Sequence, residues 1–120
     1  LFLLAHQMEW ILSNGGLKFS VDRCDRSAEI LYGWAERVHF ATPFVSKPSQ
    51  RSHVVGTLDF DESINAEHVT KNLRQNGILD TEPYRKLGRN QIRVGMYPAI
   101  DPEDVESLCA CVDFVVGETT

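Results

Sequence analysis

The residues best equipped for chemistry in this sequence are cationic, and they cluster. Tyr84-Arg85-Lys86-Leu87-Gly88-Arg89 is followed closely by Arg93. A guanidinium grips a carboxylate or a phosphate through parallel N–H donors, and a lysine ammonium adds a mobile point charge. Such a set suits a small anion. The same residues also read as a solvated basic turn with Arg93 facing water, because basic loops are common. Other chemistries are harder to assemble. No Ser/His/Asp or Cys/His triad can be named from spacing. His6, His39, His53 and His68 lack metal-ligand spacing. Asp59, Asp61 and Glu62 close a strand and need no catalytic role. Lys86-Leu87-Gly88-Arg89 is too poor in glycine, and its lysine misplaced, for a phosphate-cradling loop.

The elements that must hold these cations follow from periodicity. Residues 1–14 read as a helix, with Leu4, Met8, Ile11 and Leu12 at helical spacing and Gly15-Gly16 ending it. A longer helix opens there, with Leu17, Val21, Cys24, Ala28, Leu31, Ala35 and Val38 as its apolar stripe. Residues 42–45 form a short strand placed near an edge by Pro43, and the β-branched run 52–60 a longer one. Asn65 caps a helix running to about Gln75, buried through Ala66, Val69 and Leu73, and stopped by Gly77. Ile78-Leu79 reads as a brief strand. Residues 91–97 give the clearest strand, with Ile92, Val94 and Met96 on one face and Arg93, Gly95 and Tyr97 on the other. Asp101-Pro102-Glu103-Asp104 starts a final helix, buried through Val105, Leu108, Cys109, Val112 and Val116. The expected fold is α+β, a small, mainly antiparallel sheet with helices packed on one face.

Composition narrows the function. The 120 residues are 42% hydrophobic and 24% charged, enough for one compact globular domain. A net charge of −5 argues against nucleic acid as a partner, which would need a broad basic surface. No signal peptide or membrane span is visible, since His6, Gln7 and Glu9 interrupt the apolar opening. Cys24, Cys109 and Cys111 read as structural thiols of a reduced, cytoplasmic protein. A chain that opens without methionine in an apolar helix reads as one cut from something longer.

The stretch G-I-L-D-T-E-P-Y-R-K-L-G-R-N-Q-I-R-V-G-M-Y-P-A-I-D-P-E-D-V, residues 77–105, resembles the C-terminal part of phosphoserine aminotransferases, class V enzymes of the pyridoxal-phosphate group. W-I-L-S-N-G-G-L and R-S-H-V-V-G-T-L-D-F, residues 51–60, are similar to the same family. The resemblance implies that residues 1–14 are an interdomain helix segment and residues 15–120 the C-terminal small domain. It implies a homodimeric transaminase of L-serine biosynthesis that exchanges an amino group between glutamate and 3-phosphohydroxypyruvate, giving phosphoserine and 2-oxoglutarate, through lysine-bound pyridoxal phosphate. Arg93, in R-V-G-M-Y, matches the family's arginine for the substrate carboxylate. Arg85 and Lys86 stand nearest the phosphate-binding pair, whose familiar form is His-Arg, and Arg89 is a further contender. None of Lys18, Lys47, Lys71 or Lys86 sits in a motif matching the cofactor lysine. The chain is therefore expected to supply substrate-binding residues, to bind no cofactor alone and to be inactive by itself, with the domain holding the cofactor as its missing partner. Two other readings stay open. One is another class V transaminase, acting on alanine or serine; the other is a free-standing regulatory module that binds a small anionic amino acid. A domain cut from a larger dimer is also expected to expose apolar surface along residues 1–12.

Overall fold

A computed structural model describes residues 1–119 of the chain. Seven main elements follow in order: α1 (Phe2–Ser13), α2 (Gly16–Arg37), β1 (Ala41–Pro43), β2 (Val55–Phe60), α3 (Ala66–Gln75), β3 (Gln91–Gly95) and α4 (Pro102–Thr119). The three strands form one antiparallel sheet in the order β1-β2-β3, with Ala41 opposite Phe60 and Thr57 opposite Arg93. Alternation along β2 buries Gly56, Leu58 and Phe60 and turns Val55, Thr57 and Asp59 towards the other side. Helices α2, α3 and α4 cover the first face, so the expected α+β architecture is the observed one.

The core gathers where these layers meet. Leu31 and Ala35 of α2, Leu58 of β2, Leu73 of α3, Ile92 of β3 and Val112 of α4 belong to one buried cluster. The α4 stripe expected from spacing is buried in full: Val105, Leu108, Cys109, Val112 and Val116. Trp34 joins α2 to α4 by donating its indole N–H to Asp113 Oδ1 at 3.0 Å, and its ring meets Phe40 edge-on at 5.9 Å. Helix α2 lies close over Gly56 of β2. A Cβ there would intrude on Leu31 Cδ2 and touch Met96 Cε at 3.4 Å. Gly56→Ala is therefore expected to destabilise the fold by about 1–3 kcal/mol through overpacking. Urea unfolding checks it; an unchanged midpoint would mean that Leu31 has room to move aside.

Four sequence expectations need correction. Ile78-Leu79 forms no strand. Ile78 donates its N–H to Leu73 O as the chain leaves α3, and among the described residues one bond alone, from Arg93 N–H to Thr81 O at 3.0 Å, pairs residues 78–82 with β3. A single bond is too little for a ladder. The strands are shorter than their apolar runs, because residues 52–54 and 96–97 lie past the paired register, although Met96 N–H still reaches Val54 O. Residues 44–45 likewise extend past β1, which ends at Pro43. The α2 stripe is buried from Cys24 to Ala35: Leu17 and Val21 are exposed, and Val38 lies half-buried just past the end of the helix.

Helix α1 has no buried residue. Its exposed side chains include Leu1, Phe2, Leu3, Leu4, Met8 and Leu12, the apolar surface anticipated from the sequence. Trp10 holds it to α2 through an edge contact with Phe19, ring centroids 5.6 Å apart. Among the described residues no helix is long and apolar enough to cross a membrane.

Candidate functional site

The open face of the sheet and the segment that follows α3 frame the site. Helix α3 is capped at its start by Asn65, whose side chain accepts from His68 N–H at 3.0 Å. Asn90 locks the entry to β3 against that helix start. Its amide donates to Ile64 O at 2.7 Å, and its carbonyl oxygen accepts from Ala66 N–H at 2.9 Å. Between these anchors the chain makes a single 3-10 turn, Arg85–Leu87, closed by Gly88 in the left-handed region at φ 64°. That turn raises the basic residues beside β3, where Arg93 projects from the solvent-facing side.

Arg85, Lys86 and Arg93 line one open cleft of about 720 Å³, together with Arg74, Asp80 and Glu82. Three of the four cations singled out from the sequence thus come together. Among the described residues no ion pair engages Arg93, Arg85 or Lys86, although Glu82 feels the charge of Arg85. Arg89 is placed differently. Its guanidinium holds Asp59 through two bonds, at 3.0 and 2.8 Å, and lies over the Phe44 ring, 4.9 Å from its centre. Hydrogen bonding to Arg89 keeps the Asp59 carboxyl below its ordinary range, and the same pairing raises Arg89. A neighbouring cleft of about 750 Å³ brings Arg85 and Arg89 against Glu62, Glu67 and Glu82. Its acids outnumber its cations, so it is the poorer anion site of the two.

The sequence reading passed over Arg74. From the last turn of α3 it forks onto Glu82, with Nε to Oε1 at 2.7 Å and Nη2 to Oε2 at 3.1 Å, and Nη2 also reaches Asp80 Oδ1 at 3.0 Å. These bonds hold Glu82 below its usual range and push Arg74 above its own. The signal was present as a basic residue closing one helix and two acids just beyond its stop, but only the turn brings them together.

Lys18, Lys47, Lys71 and Lys86 are all exposed, and Lys18 pairs with Asp22 on the outside of α2. A lysine that forms a Schiff base needs an enclosed, partly desolvated setting, and none of the four has one within the described residues. The cysteines stand apart from the cleft. Cys24 and Cys109 are buried, and burial pushes the Cys109 thiol up to about 12. Among the described residues no group of three or more His, Cys, Asp or Glu side chains is arranged to hold a metal ion.

No protein-family model matches the chain. Similar proteins are nonetheless plain. Phosphoserine aminotransferases of Rhodococcus opacus (strain B4) and Rhodococcus jostii (strain RHA1) are each 57% identical to it over 118 residues, which is 98% of this chain and 32% of theirs. The solved phosphoserine aminotransferase from Bacillus circulans subsp. alkalophilus superposes with a TM-score of 0.83 at 20% identity, over 93% of this chain and 30% of that one. At that identity the superposition speaks for the fold. The chain spans about a third of the length of the curated relatives it matches. Over the residues it contains, this chain belongs to the phosphoserine aminotransferase family.

Proposed function

We propose that the chain is the C-terminal, substrate-binding part of a phosphoserine:2-oxoglutarate transaminase of L-serine biosynthesis. The observation that carries the reading is the single cleft in which Arg93, Arg85 and Lys86 meet without an ion-pairing carboxylate. Arg93 grips the α-carboxylate from the rigid strand β3. Arg85 and Lys86, one turn of chain away, face the phosphate, which carries about −1.5 to −2 charges at neutral pH. Arg89 stays on Asp59 and orders the sheet beside the cleft, because recruiting it would require breaking a two-point pair.

Pyridoxal phosphate, when bound by the rest of the enzyme, supplies the electron sink for amino-group transfer. This chain binds and orients the substrate and leaves the proton-carrying lysine to the part of the relatives' length that it does not cover. Its own turnover is accordingly nil, and the complete enzyme is a homodimer of two such assemblies.

Titrating the 120-residue chain with O-phospho-L-serine while following backbone NMR signals tests the reading. An open, water-exposed site gives roughly millimolar affinity, with shifts at Arg93, Arg85 and Lys86. L-Serine and L-alanine, lacking the phosphate, should move Arg93 alone and more weakly. Equal responses to all three would transfer the chain to a transaminase of neutral amino acids. No response along residues 80–93 at tens of millimolar would overturn the assignment, and so would turnover of O-phosphoserine by the pure chain.

A further inference from the structure

An anion site with two carboxylates in its wall presents a physical problem. Asp80 and Glu82 line the same cleft as Arg85, Lys86 and Arg93, and Arg85 is near enough to Glu82 to add to the lowering that Arg74 causes. Left free, Glu82 would be the natural partner of Arg85 and would compete with any phosphate for it. The structure gives the acids another partner. Arg74 takes both oxygens of Glu82 in a fork and adds Asp80, so one guanidinium satisfies two carboxylates. The chain turns sharply to allow this: Asp80 takes a left-handed conformation at φ 63°, unfavourable for a residue with a side chain. The next residue, Thr81, accepts the backbone bond from Arg93. Fixing Asp80 and Glu82 therefore also fixes the strip of chain that runs beside Arg93.

We propose that Arg74 is a positioning residue of the anion site: it sequesters Glu82 and Asp80 so that Arg85, Lys86 and Arg93 remain available to a phosphate-bearing amino acid. Arg74 acts through those acids and has no direct bond to the substrate. The inference rests on the function proposed above.

Charge reversal of the logic supplies the test. The same NMR titration with O-phospho-L-serine is carried out on Arg74→Gln, Glu82→Gln, the double variant and Arg74→Lys. Arg74 is solvent-accessible, with half its side chain exposed, so its replacement leaves the core untouched. Arg74→Gln should weaken binding at least about fivefold, as the freed Glu82 turns to Arg85. Arg74→Lys, which keeps the charge but loses the fork, should fall between Arg74→Gln and wild type. The deciding measurement is the double variant. With Glu82 neutral the carboxylate that would turn to Arg85 is gone and only the largely exposed Asp80 is released, so affinity should return to within about twofold of wild type. A role confined to propping up the loop would leave the double variant as weak as Arg74→Gln, and that result would overturn the proposal. So would an Arg74→Gln chain that binds as tightly as wild type. Failure of the wild-type chain to bind at all would instead remove the proposed function.

Discussion

Arg93→Ala is expected to lower kcat/KM for O-phosphoserine by a factor of about 30 to several thousand in the transaminase that contains this chain. The size follows from what is lost. Truncating one member of a hydrogen-bonded charge pair costs about 2–5 kcal/mol once the pair is desolvated, and each 1.4 kcal/mol is tenfold. In the chain alone Arg93 is exposed, so the effect on binding should lie below that range, which applies only to a desolvated pair. Arg93→Lys separates charge from geometry. An ammonium restores attraction without two-point alignment, so it should recover only part of the rate. A steady-state comparison of the three enzymes is decisive. An alanine variant within threefold of wild type would move the carboxylate-binding role away from β3.

Trp34→Ala is expected to remove about 3–5 kcal/mol of folding stability, a large fraction of what a domain of this size possesses. The indole is 4% exposed, packs edge-on against Phe40, and spans the gap from α2 to α4. Phe40 in turn lies 6.1 Å from Phe60, so the cavity would open at the junction of two helices and a strand. Asp113 reaches solvent, so losing its indole partner strands no buried charge. The penalty is therefore mostly packing, and Trp34→Phe, which keeps a ring and forfeits the hydrogen bond, should cost far less than Trp34→Ala. Urea denaturation followed by far-ultraviolet circular dichroism measures both. A Trp34→Ala variant less than about 1 kcal/mol below wild type would show that the helical layer is not organised around this side chain.

What the sequence made legible was whatever depends on one period. The alternation of Ile92, Arg93, Val94 and Gly95 announced both a strand and its two faces, and the α4 stripe from Val105 to Val116 was fully readable. Contacts across elements were not. Nothing local says that Leu17 and Val21, apolar and correctly spaced, stay exposed. Ile78-Leu79 looked like a strand because its residues favour one, but strand identity depends on a partner, and Ile78 turns its N–H back to Leu73 O of α3 instead. The site shows the same division. Arg85, Lys86 and Arg93 stood out as a local cluster, whereas the capture of Arg89 by Asp59 links positions 30 residues apart. The fork from Arg74 to Glu82 needed the left-handed turn at Asp80 as well. The missing information was geometric rather than chemical.

The thinly attached first helix gives the molecule a built-in optical gauge. The chain has only two tryptophans, and they occupy opposite circumstances. Trp34 is sealed in the core, while Trp10 rides half-exposed on α1, which at 12 residues is too short to persist as a helix in water without tertiary support. Whatever covers the side of α1 that carries Leu3, His6 and Trp10, one helical turn apart, removes water from the neighbourhood of one indole and leaves the other unaltered. Quenching by iodide should accordingly resolve two emitters, one accessible and one shielded, and the accessible fraction becomes a direct readout of coverage at that end of the molecule.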